Sequence, residues 1–454
     1  MGKDLQQLPS PRGSLLFGNT VDFARDPLGF LTHCARDYGE MVPLRFLFSQ
    51  ACLLTQPEQI EQVLKQPELF TKNTPAWKAV RSLVGDGLLT SEGSFWARQR
   101  RLMQPVFHQQ KIAAYGETMV LYTEAMLQTW QDGEVRDIHQ DMMQLTLNIV
   151  TKTLFNVDMS GALAQTIAHT LEVAMDWFSS RRQQAFLPLT GLPTSINRRY
   201  KQALQTMDQA IYTLIQERRQ SQDDPGDLLS LLLQARDEDG SQMSDRQLRD
   251  ELTTLILAGH ETTANALSWA WMLLAQHPVV EQKLVQEIQT VLGDRPPSLT
   301  DLPHLPYTDQ IIKEVLRLYP PLFSLARSPI QDYDLGGYTI PGGYILMFSP
   351  WVMHRTARYF PEPEKFRPER WEADLEKQLP RGVYFPFGDG PRVCIGKSFG
   401  LMEAVLLLAT IAQKFQLRLL PDQSLQPLPS MTLRPKTGVA VRVHQRTGSE
   451  TAAP

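Results

Sequence analysis

The segment Phe387-Gly388-Asp389-Gly390-Pro391-Arg392-Val393-Cys394-Ile395-Gly396 sets a lone cysteine among glycines, just before a helical stretch. Gly388 and Gly390 let the backbone curl so that its N–H groups aim at one sulfur, and a helix start adds partial positive charge. Both favour a thiolate over a thiol, which is how a protein holds an anionic metal ligand. A buried structural cysteine at a tight turn is the commoner fate of an isolated Cys. Six fixed residue types at this spacing, however, arise by chance with a probability on the order of 10⁻⁶ in a chain of this composition. The segment therefore reads as a loop that offers Cys394 to a metal.

A second cluster, Ala258-Gly259-His260-Glu261-Thr262-Thr263, lies in the middle of a long apolar helix pattern. A buried Glu beside two hydroxyls is costly there unless it has partners or a task. Ala258 and Gly259 leave room for a flat ligand or a small molecule. Thr262, four residues after Ala258, is placed to bond that carbonyl and open the helix into a groove. Taken alone, this patch fits a structural role as well as a catalytic one, and His260 reads as a packed neighbour. Glu314 and Arg317, three apart, share a helix face, a pair that is common surface decoration. Trp96 and Arg100, four apart, share another, and an exposed basic turn would look the same.

Together these segments resemble the cytochrome P-450 family, the haem-thiolate monooxygenases, in their order and rough spacing over nearly the whole chain. The resemblance implies haem b (iron protoporphyrin IX) with Cys394 as the axial ligand, whose thiolate donates electron density that favours O–O cleavage. It implies that Gly388 shapes the ligand loop and that Gly396 lets the following helix pass close under the porphyrin. Arg392, Trp96, Arg100 and Arg327 become partners of the haem propionates. Glu261 and Thr262 take the roles of acid and hydroxyl that deliver protons to dioxygen. Arg370, in Pro368-Glu369-Arg370-Trp371, would complete a buried structural cluster with Glu314 and Arg317. Trp371 stands where the family usually has Phe.

The resemblance also places a distal pocket among Trp77, Leu83, Leu88, Trp177, Phe178, Phe186, Ala258, Leu322, Phe323 and Leu325. Such an apolar lining suits a lipophilic fatty acid, terpenoid or carotenoid, although plain core packing must account for many of these residues. The texture is similar to soluble bacterial and cyanobacterial fatty-acid and carotenoid hydroxylases. The expected reaction inserts one oxygen atom from O₂ into such a substrate. A haem-thiolate isomerase or dehydratase acting on a hydroperoxide is the first alternative, against which the Glu261-Thr262 pair argues. A haem-binding sensor or carrier is the second. No Gly-x-Gly-x-x-Gly opens a helix; Gly85-Asp86-Gly87 is followed by Leu88, Leu89 and Thr90. Electrons are then expected from a separate ferredoxin or flavodoxin with its reductase, drawn to Arg98, Arg101 and Lys397.

Which elements must carry these residues follows from periodicity. Apolar residues recur at helical spacing in Ile112–Trp130, Met142–Leu154, Leu204–Ile215 and Leu248–Leu274, with Ser244 and Gln247 forming a capping box before the last of these. Val42 to Leu54 suggests a hairpin. After Pro320, dense Pro and Gly favour turns and short strands until a helix returns from Ser398 to about Phe415, and Met431 to His444 reads as a closing hairpin. The expected architecture is mainly α with a minor β portion (α+β): the cytochrome P-450 fold, one domain over 1–446 with about a dozen helices and small β-sheets, then a disordered tail at 447–454.

Composition sets the outer bounds. Across 454 residues, 45 Lys and Arg face 49 Asp and Glu, a net charge of −4 that excludes a polybasic nucleic-acid binder. Three cysteines are too few for a disulfide framework and fit a reducing, cytoplasmic setting. Neither Ala264–Ala275 nor Leu401–Ala412 reaches the roughly 20 apolar residues of a spanning helix, so no membrane anchor is expected. The expected state is a monomer.

Overall fold

The longest helical pattern in the sequence becomes the axis of the fold. The computed structural model describes residues 3–47, 49–107, 109–157, 162–183, 193–221 and 226–446. The tail expected at 447–454 and Phe186 lie outside them. Within the described residues the central helix, Asp245–Gln276, starts at the capping box the sequence announces: Ser244 Oγ accepts from Gln247 N, and Gln247 Oε1 accepts from Ser244 N. It ends where Pro278 opens the next helix.

From Leu248 to Leu274 every residue of this helix is buried except Ala258, Gly259 and Thr262. Two hydrophobic cores meet at that gap. Residues up to Leu257 pack with Pro75–Val84, Ala162–Gln183 and Ser195–Gln220. From Ala264 onward they pack with Pro278–Leu292, Pro306–Leu318 and Lys397–Lys414. The helix Ile138–Phe155 lies alongside both halves. Gly259 permits this close approach, since a Cβ there would come within 2.8 Å of Val150 Cγ2.

Among the described residues, sixteen α-helices and thirteen short strands in four sheets make an α+β body. The expected hairpin is present as Met41–Phe46 against Ser49–Leu54, and it grows into a five-stranded sheet through Ile345–Phe348, Leu325–Pro329 and Phe70–Thr71. The closing hairpin is not. Leu433–Pro435 pairs back onto Pro427–Pro429, whereas Ala440–Gln445 lies between Phe415–Leu419 and Val135–Asp137. Val441 and Val443 alternate into the core, so the strand was legible, but nothing local to it names its partners. No helix among the described residues is long and apolar enough to cross a membrane.

Candidate active site

The cysteine loop is shaped by hydrogen bonds that start deep in the core. His354 Nε2 accepts from Phe385 N, Phe385 O accepts from Gly388 N, and Phe387 O accepts from Cys394 N at 2.9 Å. Gly388 and Gly390 have positive φ, and at Gly390 a Cβ would sit 2.3 Å from Leu64 O, so no other residue fits that turn. The sulfur faces an internal cavity, which is why Cys394 is exposed by area although protein surrounds it. Burial raises the thiol, opposed by the Gly396 N–H and by Arg100, Lys72 and Lys397, all of which favour the anion.

Ala258, Gly259 and Thr262 line the same cavity from the central helix. Thr262 Oγ1 donates to Ala258 O at 2.6 Å, the bond its spacing predicts. With its hydrogen so engaged, the hydroxyl offers lone pairs to the cavity. Glu261 points elsewhere: its Oε1 accepts from the Thr432 hydroxyl at 2.6 Å, and Thr432 in turn accepts from Asn265. Burial raises this carboxyl and the Thr432 bond opposes the rise. His260, buried, is pushed down to about 4 by desolvation and is neutral.

One side of the cavity is cationic. Lys72, Arg100, Arg327 and Arg392 line it, and among the described residues no Asp or Glu does. Glu92 approaches from behind it, pairing with Arg392 at 2.6 Å and accepting from Lys72 N. Arg392 also stacks 4.1 Å from the Trp96 ring centre, Arg100 donates to Val393 O, and Arg327 donates to Ala326 O. Desolvation and like charge push Arg327 and Arg392 down to about 10 and Lys72 well below its usual range. A buried group of cations without matching anions is unfavourable unless a ligand supplies them. Two propionates opposite a cysteine sulfur meet that need, so the residues present fit a haem.

The Glu314 cluster ties the helix Pro306–Leu318 to the irregular chain that precedes the cysteine loop. Arg317 forms two 2.8 Å bonds to Glu314, Arg370 adds one at 3.3 Å, and the Trp371 indole donates to Glu314 Oε2 at 3.0 Å. Trp371 thus contributes a hydrogen bond that Phe cannot.

The comparisons with known proteins agree with this geometry. The family model described as cytochrome P450 matches residues 8–442. Cyclooctatin synthase of Streptomyces melanosporofaciens is 38% identical over 93% of each chain. Cyclooctat-9-en-7-ol 5-monooxygenase of the same organism is 38% identical over 92% of this chain and 90% of its own. Pentalenene oxygenase of Streptomyces avermitilis is 33% identical over 96% and 97%. The chain belongs to the cytochrome P450 family. As a P450 it is a haem-dependent monooxygenase that uses O₂ and a redox partner on lipophilic substrates.

Of the residues the resemblance assigns to a distal pocket, Trp77, Leu88, Ala258, Leu322 and Leu325 line this cavity of the P450. Leu83, Trp177, Phe178 and Phe323 do not line it. Leu83 is fully buried in the core, Trp177 stacks on Tyr200 at 4.4 Å with Phe178 edge-on, and Phe323 packs beside the five-stranded sheet. The surface cations expected to attract a donor already have partners: Arg98 and Arg101 grip Asp237 at 2.9 and 3.1 Å, and Lys397 meets Glu376 at 3.3 Å. Lys72 and Glu92 are the site residues that sequence reasoning missed. Lys72 sits in an ordinary polar turn, and only Glu92, four residues before Trp96, carried a positional hint.

Proposed function

We propose that this P450 hydroxylates terpenoids, with haem b held by the Cys394 thiolate and electrons supplied by a ferredoxin or flavodoxin with its reductase in the cytoplasm. The observation that carries the reading is the pairing of one cysteine sulfur with an apolar cavity whose facing wall is Ala258, Gly259 and Thr262. When bound, the haem supplies the oxygen-activating chemistry. Arg100, Arg327, Arg392 and Lys72 anchor its propionates and Trp96 orients Arg392. Thr262 holds a proton-bearing partner in the groove through its free lone pairs. Glu261, next to it in sequence but turned toward Thr432, supplies protons by exchanging partners. The terpenoid class is supported by relatives whose names state oxidation of cyclooctat-9-en-7-ol and of pentalenene, and by the leucine-rich lining of the cavity.

The test has two parts. The ferrous-CO complex of the wild type should show the thiolate-type absorption band, and Cys394→Ser should lose it; a retained band rejects the ligand assignment. With ferredoxin or flavodoxin, reductase and a panel of terpenoids and fatty acids, product formation should track terpenoids. Turnover confined to fatty acids would reject the substrate class.

A further inference from the structure

Glu261 and Thr262 are neighbours in sequence, yet of the two only Thr262 lines the cavity, and a short hairpin explains the separation. Pro427–Pro429 and Leu433–Pro435 pair with each other, and Ser430 N donates to Thr432 O within the turn between them. Thr432, buried at that turn, donates its hydroxyl to Glu261 Oε1 at 2.6 Å and accepts from Asn265 Nδ2 at 3.0 Å. Asn265 stands about one helical turn after Glu261, so the hairpin tip and one face of the central helix close a small polar ring. Glu261 Oε2 has no hydrogen-bond partner among the described residues, so the Thr432 hydroxyl decides where the carboxyl points.

The same hairpin is fastened to the cavity wall. Leu433 N donates to Pro321 O at 2.9 Å, and the Trp269 indole donates to Leu433 O at 3.0 Å. Pro321 and Leu322 line the cavity. The residue that holds Glu261 and the residue bonded to the wall are therefore adjacent in the chain. Among the described residues the two three-residue strands of the hairpin pair with no other strand. Such a pair is marginally stable without outside support, so its position follows its few attachments. A molecule that fills the cavity against Pro321 and Leu322 has a direct route to the element restraining the acid.

We propose that Thr432 is a positioning residue that latches Glu261 away from the groove until a substrate, pressing on Pro321 and Leu322, shifts the hairpin. While latched, the carboxyl gives Thr262 no proton. Reducing O₂ to hydrogen peroxide takes two electrons from the donor and two protons that must arrive through the groove. The latch therefore slows this side reaction in the empty protein. Once substrate releases Glu261, the same proton route serves oxygen insertion. A ligand shifts an equilibrium only through contacts that differ between its two arrangements, and the wall at Pro321 supplies that difference.

The latch rests on the reading of Glu261 as a proton source, and the experiment separates the two. Substrate-free holoenzyme is supplied with O₂ and an excess of ferredoxin and its reductase. Consumption of reduced nicotinamide and release of peroxide are followed, and the rate of iron reduction is measured separately under CO. Thr432→Val, which keeps the shape and removes the hydroxyl, should consume about five- to ten-fold faster than the wild type per iron reduced, the population shift of one hydrogen bond. Thr432→Ser should return to the wild-type rate, and adding Glu261→Gln to Thr432→Val should cancel the gain. Cedrol, at an occupancy read from the iron spin state, should raise the wild-type rate per iron reduced and leave Thr432→Val little changed. Consumption by Thr432→Val no faster than the wild type, or an equal rise with cedrol in both, overturns the latch while Glu261→Gln still lowers product formation. Undiminished product formation by Glu261→Gln overturns the proton assignment, and the latch with it.

Discussion

Two side chains facing the cavity make opposite demands on the empty and loaded protein. Lys72 is buried, donates to Leu89 O at 2.8 Å, lies 4.7 Å from the Trp77 ring centre, and has Arg327 and Arg392 as cationic neighbours. Before an anion arrives it is a liability; afterwards it is a hold on the propionates. Lys72→Met, which preserves the packing on Trp77, should stabilise the haem-free protein by about 1 kcal/mol or more. The same change should speed haem loss to a scavenger protein several-fold. A haem-free protein that melts at the same temperature, with unchanged haem release, would show that Lys72 only fills space. For Thr262 the prediction concerns electrons. Thr262→Ala removes the lone pairs aimed at the cavity, so haem should stay bound while the ratio of product to hydrogen peroxide falls about ten-fold or more. Thr262→Ser, which keeps the bond to Ala258 O, should recover most of it.

At the scale of elements, one carboxylate organises the irregular chain that leads to the cysteine. Glu314, on the helix Pro306–Leu318, collects Arg317, Arg370, the Trp371 indole and the Arg367 N–H, while Arg317 reaches on to the carbonyls of His354, Pro363 and Lys365. Glu314→Ala should cost about 3–5 kcal/mol because it strands a buried guanidinium. Trp371→Phe, which keeps the ring contacts with Phe360 and Tyr384, should cost about 1–2 kcal/mol. Thermal unfolding of the two variants ranks them, and equal losses would deny Glu314 its organising part. Much of this was legible from local pattern: the capping box at Ser244, the Thr262–Ala258 bond, the glycine turn before Cys394. What stayed hidden depends on distant partners. Trp177 and Leu88 are both large and apolar, and only the fold decides that one stacks on Tyr200 while the other faces the cavity. Lys72 gains its meaning from Arg327 and Arg392, more than 250 residues later, and the strand at Ala440 from Val135.

Across the whole molecule, the central helix and the helix Lys397–Lys414 each seal an acid inside the protein. Glu251 and Glu403 are both pushed up to about 8 by desolvation. In the unfolded chain each titrates near its ordinary value of 4.5. Between those limits the unfolded state gives up protons that the folded state keeps, so stability must fall as pH rises. Below about 4.5 neither state is charged at these positions and the penalty vanishes. Each acid contributes a slope of up to about 1.4 kcal/mol per pH unit. Glu403→Gln keeps shape and polarity but removes one titration. The variant should match the wild type near pH 5 and outlast it progressively toward pH 8, as read from thermal midpoints of the haem-loaded protein across that range. Midpoint curves that run parallel would mean that Glu403 is already ionised in the folded state, with a counter-charge reaching it from the cavity.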